Sequence, residues 1–119
     1  MFDAQLLIAK ANGGENDYIV LSPWFRRQAD NAVFTGEVVE LDGGQVDVTV
    51  MTKNSEDAGD GTDVSGTISL GTTKGCDDEA FIGVLEEMVR YKFTVPNGTA
   101  GNWVLFRMLP PVWFDSAEA

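Results

Sequence analysis

An all-β, antiparallel β-sandwich of about seven strands is the fold class that the sequence predicts, and three observations predict it. In "QVDVTVMT" (residues 45–52), Val46, Val48 and Val50 alternate with Asp47 and Thr49, the period of two that buries one face of a sheet. In "VRYKFTV" (89–95), Val89, Tyr91, Phe93 and Val95 alternate in the same way with Arg90, Lys92 and Thr94. Between such runs, Gly, Asn and Asp turns recur at near-regular spacing, as they do in all-β chains.

Taken in order, "QLLIAKA" (5–11) and "DYIVLSPWF" (17–25) form a strand–turn–strand pattern around Asn12-Gly13-Gly14. Pro23 marks the point where pairing stops or a sheet edge lies. Residues 32–52 read as a β-hairpin, "NAVFTGEVVEL" turning at Asp42-Gly43-Gly44 into "QVDVTVMT", with the glycines supplying positive φ. "NSEDAGDGTD" (54–63) is a loop, "VSGTISLG" (64–71) a strand, and "TTKGCDD" (72–78) breaks it.

Residues 79–88 admit two readings. Phe81, Val84, Leu85 and Met88 fall at i, i+3, i+4 and i+7, the stripe of a short amphipathic helix N-capped by Asp77 or Asp78; a strand followed by a corner is the alternative. "PNGTAG" (96–101) then reads as the turn of a second hairpin, joining 89–95 to "NWVLFRM" (102–108), where alternation places Trp103 in the core. "LPPVWF" closes the chain as an extended segment whose prolines cannot donate to a central ladder. No repeat or linker interrupts the 119 residues, so residues 1–119 are expected to form a single domain.

Composition narrows the function. Hydrophobic residues make up 44% of the chain, enough to bury a core. Nineteen acids against eight bases give a net charge of −11, and the largest basic cluster is the pair Arg26-Arg27, so a nucleic-acid partner is not expected. Cys76 is alone, which rules out an intramolecular disulfide, and the absence of histidine removes Ser-His-Asp, Cys-His and His-zinc chemistries. The first residues lack the basic and apolar regions of a signal peptide, and no apolar run is long enough to span a bilayer. Synthesis in the cytoplasm and no membrane partner are the expectations.

Several groups of residues invite a site. The 54–63 loop is rich in oxygen ligands suited to Ca²⁺, but it lacks the EF-hand register and reads better as a solvated loop. Glu86-Glu87 and Asp77-Asp78-Glu79 contain carboxylates of the type that glycosidases pair, but neighbours in sequence point apart, and no catalytic, cofactor or metal residue is assigned. "NGT" at 97–99 matches a glycosylation sequon and reads instead as a turn. Trp24, Phe25, Trp113 and Phe114, with Arg26 and Arg27, form the candidate partner-binding set, because aromatic and arginine side chains dominate interface hot spots. Trp113-Phe114, beyond Pro110-Pro111, is expected to pack on a neighbouring subunit.

"LEEMVRYKFTV" (85–95) resembles the tyrosine corner of immunoglobulin-like sandwiches, and its L-x5-Y-x-F-x-V spacing resembles fibronectin type III modules. The resemblance implies that Leu85 is a core plug before the corner and that the Tyr91 hydroxyl caps a backbone group there. The tryptophan usual on the third strand is missing from "QVDVTVMT", so the likeness is to the class. "LSPWFRRQADNAVFTGEV", "VMTKNSEDAGDGT" and "VLFRMLPPVWFD" give the whole chain a looser resemblance to small β-sandwich virion proteins of tailed bacteriophages, which decorate or cement a capsid. That resemblance implies a non-enzymatic structural role, many self-associating copies, a major capsid protein or other virion protein as partner, and a place in the virion. An acidic exterior fits the outer capsid surface better than the DNA-filled interior. The alternative is a carbohydrate-binding module that stacks sugars on Trp24 and Trp113.

Overall fold

The alternating runs fold as strands. The computed structural model, which describes residues 5–11, 13 and 17–116, contains β1 (Leu7–Lys10), β2 (Tyr18–Leu21), β3 (Phe25–Arg26), β4 (Asn31–Asp42), β5 (Val46–Lys53), β6 (Thr62–Leu70), β7 (Gly75–Phe81), β8 (Met88–Val95), β9 (Trp103–Met108) and β10 (Val112–Phe114). They make two antiparallel sheets packed against each other. In one, β1 pairs with β9, β9 with β4 and β4 with β7, while β10 continues the line of β9 along the start of β4. In the other, β2 pairs with β8, β8 with β5 and β5 with β6, while β3 continues the line of β2 along β8.

The predicted all-β, two-layer sandwich is therefore present, but its connectivity differs from the immunoglobulin order. With β3 counted with β2 and β10 with β9, the strand orders are 1-9-4-7 and 2-8-5-6. This is the double Greek key of a jelly roll; an immunoglobulin sandwich sets its first strand beside its second and its sixth beside its seventh.

Three predicted turns consequently have a different role. β4 and β5 lie in opposite sheets, so residues 32–52 form an arch across the sandwich and not a hairpin. The same correction applies to the β8–β9 connection through "PNGTAG" and to β1–β2, whose turn lies partly outside the described residues. An arch and a hairpin leave the same trace in sequence: either way, both strands send alternate side chains into one interior. The paired consecutive strands are β5 and β6, joined by the long acidic loop.

At the β4–β5 arch the glycines have separate functions. Gly43 takes φ +73°. Gly44 donates its N–H to the Trp103 carbonyl at 3.1 Å, and a Cβ there would stand 2.2 Å from the Trp103 carbonyl carbon, so only glycine lets the crossing chain come this close to β9.

The interior follows the predicted parity on β5 and β8. Val46, Val48, Val50 and Val89 are inaccessible to solvent, and Tyr91, Phe93 and Val95 are buried beside them. Phe34 sits among three rings in edge-on geometry, Phe81 at 5.5 Å, Tyr91 at 5.6 Å and Trp113 at 5.8 Å between centroids. Parity fails at Trp103: Val104, Phe106 and Met108 point inward, which turns Trp103 to the outer face of its sheet.

Residues 79–88 are strand and then corner, and no helix occurs among the described residues. Phe81 is buried at the end of β7, but Val84 is 48% exposed, so the spacing that mimics a helical stripe is not one face. Side chains of other strands take up the corner's backbone groups. Asn31 Oδ1 accepts from the Gly83 N–H at 2.8 Å; Thr52 Oγ1 accepts from Glu86 N–H at 2.7 Å and donates to the Met88 carbonyl at 2.9 Å; Arg27 donates to the Leu85 carbonyl. Leu85 and Tyr91 both lie in the buried core.

Candidate functional site: the β1–β2 edge

Among the described residues, sheet order leaves β1 and β2 as the unpaired edges on one flank of the sandwich. The sequence of β2 is Tyr-Ile-Val-Leu, and all four residues are exposed, by 41–57%. Its register with β8 sets which side chain faces where. Tyr18 and Val20 lie opposite the buried Val95 and Phe93 and face inward, while Ile19 and Leu21 lie opposite Thr94 and Lys92 on the outer face. On β1, Leu7 and Ala9 face inward opposite Phe106 and Val104, and Ile8 is 64% exposed. Between the two edges the sandwich gapes into a cleft of about 220 Å³ lined by Leu7, Ala9, Tyr18, Val20, Phe93 and Phe106.

The hydrogen-bonding direction of β2 is fixed at its end. The Ser22 N–H donates to the Tyr91 carbonyl at 3.0 Å, and the Tyr91 N–H donates to Ser22 Oγ at 2.8 Å, so the buried serine hydroxyl completes the ladder just where Pro23 follows. Backbone polarity alternates along an antiparallel strand. Val20 and Tyr18 therefore share the direction of Ser22, toward β8, and Ile19 and Leu21 turn their N–H and C=O groups to the free edge. Asp17, the acid next to β2 among the described residues, accepts from the Asn97 N–H at 3.1 Å.

The opposite flank is built differently. β6 exposes Asp63, Ser65, Thr67 and Ser69, and β7 exposes Asp77 and Asp78, with a second cleft of about 260 Å³ bordered by Thr72, Thr73 and Asp77. Lys92 holds Asp63 at 2.6 Å. Charged and polar side chains of this kind discourage a sheet edge from pairing with another chain. β2 carries none.

The predicted partner-binding residues are placed elsewhere, at the β3–β10 end. Phe25 packs on the core with its ring 5.6 Å from Tyr91 and 6.5 Å from Trp113. Trp113 stands against Phe34, because β10 pairs with β4 at Trp113↔Ala32 and Phe114↔Asn31. Trp113 is thus half-buried against its own core. Trp24 lies under the Arg90 guanidinium at 4.3 Å and the Lys53 ammonium at 5.0 Å. Arg90 is only 9% exposed and also donates to the Asp60 carbonyl at 3.1 Å, so this cation–π stack fastens the 54–61 loop to the sheet. Arg26 is exposed, 4.0 Å from Glu87, and Arg27 is 3.7 Å from Asp30.

The acidic groups do not converge. Among the described residues no three His, Cys, Asp or Glu side chains are grouped to hold a metal ion. In the 54–61 loop, Lys53 donates to the carbonyls of Asp57 and Gly59, and Asp57 accepts from the Asn54 N–H. Glu87 holds Ser55 at 3.3 Å. Glu40, fully exposed, is held below the usual carboxylate range by its hydrogen bond to Lys74 and then by the Leu41 N–H. No helix among the described residues is long and apolar enough to cross a membrane.

The sequence places a strand in 17–25 and an edge near Pro23, as found, but β2 was not among the candidate site residues. The available signal was "YIVL" itself, an uncharged run with no polar alternation, ending at a residue that marks a sheet edge. Comparison with protein families, with curated proteins and with solved structures finds no match for the chain.

Proposed function

We propose that this chain is a non-enzymatic structural protein that joins a larger assembly, with the outer surface of a tailed-bacteriophage capsid as that assembly and the major capsid protein or another virion protein as its partner. The observation that carries this reading is the β1–β2 edge: a largely apolar strand pair, free of acids and with Lys10 as its one charge, beside an open cleft on a molecule whose net charge is −11. Large exposed apolar patches on soluble proteins mark interaction sites, and extended chains recognise one another by adding strands to such edges. Jelly rolls occur in both capsid and lectin domains, so the fold by itself leaves the choice open. The edge favours protein contact, because the rings that a sugar platform would need already have partners within the chain: Trp113 against Phe34 and Trp24 under Arg90.

The test is sedimentation of the purified chain with tailed-phage capsids. Saturable binding in many copies, lost in an Ile8→Asp, Ile19→Asp double variant and exposed to added protease, supports the reading. A chain that stays at the top of the gradient, or one shielded within the capsid shell, contradicts it.

A further inference from the structure

We infer that the free edge of β2 pairs antiparallel with β2 of a second copy of this chain, continuing the β2-β8-β5-β6 sheet across a two-fold axis that passes through Val20. The inference rests on reading the β1–β2 edge as an assembly surface and names its occupant.

Three observations choose a second copy. The first is the backbone. Ile19 and Leu21 present the free-edge N–H and C=O groups of β2, flanked by Pro23, which has no N–H, and by Asp17. Residues opposed across an antiparallel pair share a face, so two copies can only meet in registers that match parity. With Val20 opposite Val20 of the second copy, Ile19 faces Leu21 and Leu21 faces Ile19. Every free-edge group of the four-residue strand then finds a partner, and Pro23 stops the ladder at both ends. Shifting by one residue would set an inward side chain against an outward one.

The second observation is charge. Two bodies of net charge −11 repel, and they can approach only where acids are absent. β6 and β7 carry Asp63, Asp77, Asp78 and Glu79, whereas β2 carries no charge and the Asp17 carboxylate is engaged by the Asn97 amide. The third is area. Ile8, Tyr18, Ile19, Val20 and Leu21 are 41–64% exposed on this flank, and five large apolar side chains supply much of the ~800 Å² per partner that a standard stable interface buries.

A self-contact between like-charged copies has a signature that a basic partner lacks: screening strengthens it. Light scattering or sedimentation of the full chain should show a species of twice 12.9 kDa. Its Kd should fall at least about threefold as NaCl rises from about 0.05 to about 0.5 M, as repulsion is screened over a shrinking Debye length. Leu21→Pro removes an edge donor together with one apolar side chain and should raise Kd by about a hundredfold or more while leaving the β8 ladder and the circular dichroism spectrum intact. Ile19→Lys should do the same without touching the backbone. In a Cys76→Ser background, Val20→Cys should oxidise to a disulfide dimer, since directly opposed residues of a non-hydrogen-bonded pair lie about 4.5 Å apart, within disulfide reach. Ile19→Cys should not.

A chain that is monomeric at every salt, a dimer that weakens with salt, a dimer that survives both edge variants, or cross-linking at Ile19 in preference to Val20 would each overturn the inference. Capsid binding by a chain that never dimerises would leave the proposed function standing and remove this contact alone.

Discussion

On one flank of the sandwich, β6 and β7 expose Asp63, Asp77 and Asp78 among serines and threonines; on the other, β1 and β2 expose Ile8, Tyr18, Ile19, Val20 and Leu21. Both flanks end in unpaired strands, and both border a cleft of similar size. The difference lies in what each offers an approaching chain. An edge lined with carboxylates holds a second strand off by charge and by hydration, while an uncharged edge leaves backbone and apolar side chain open together. Of the 19 acids, β6 and β7 carry Asp63, Asp77, Asp78 and Glu79, and β1 and β2 carry none.

The contrast holds only while both sheets stand on a common interior, and the largest expected effect removes that support. Phe34→Ala deletes the ring that touches Phe81, Tyr91 and Trp113. The loss should be about 3–5 kcal/mol of unfolding free energy in a urea titration, with both flanks melting in one transition. A variant that lost only one flank would separate the sheets and break the comparison.

Next in size is Ser22→Ala, which leaves the buried Tyr91 N–H without its hydroxyl acceptor. A cost of about 1–3 kcal/mol is expected, together with faster amide exchange along β2 and little change along β6. This sharpens the contrast, because it loosens the apolar edge from its own sheet and leaves the acidic edge alone.

Smaller still in stability, but direct in its readout, is an exchange of edge character. Ile19→Lys should change stability by less than about 0.5 kcal/mol and reduce binding of an apolar dye, whereas Asp77→Thr with Asp78→Val should increase dye binding and promote aggregation at the other flank. Equal dye binding by all three proteins would show that the flanks do not differ in this way.

The smallest effect is electrostatic. Lys74 holds the Glu40 carboxyl below its ordinary value of 4.5 in the folded state, so its contribution is present above that value and is lost as pH falls through the lowered one. Glu40 is fully exposed, and its ion pair is correspondingly weak. The melting temperatures of the native chain and of Glu40→Gln should differ slightly at pH 6 and converge in acid. A difference that grew in acid would reverse the sign.

What could be read in the sequence was local. Val46, Val48, Val50, Tyr91, Phe93 and Val95 announce their inward face because side-chain direction repeats every two residues. The loop predicted at 54–63 is present but ends at Gly61, where β6 begins, and of the two readings of 79–88 the strand with a corner is the one found. Connectivity was not readable, since Asp42-Gly43-Gly44 permits a hairpin and an arch alike, and the close approach of Gly44 to Trp103 depends on β9, which is remote in sequence. Trp103 was misplaced for the same reason. β9 enters its sheet with Val104 inward, and β10 returns to β4 and sets Trp113 against the core, a contact no local pattern encodes. The edge position of β2 is likewise a property of the whole strand order.

The account turns on the two flanks behaving differently toward another chain. Amide exchange across a concentration series measures this directly. Exchange at Ile19 and Leu21 should slow as the protein concentration rises while β6 and β7 stay unchanged. Equal slowing on both flanks, or none on either, would contradict it.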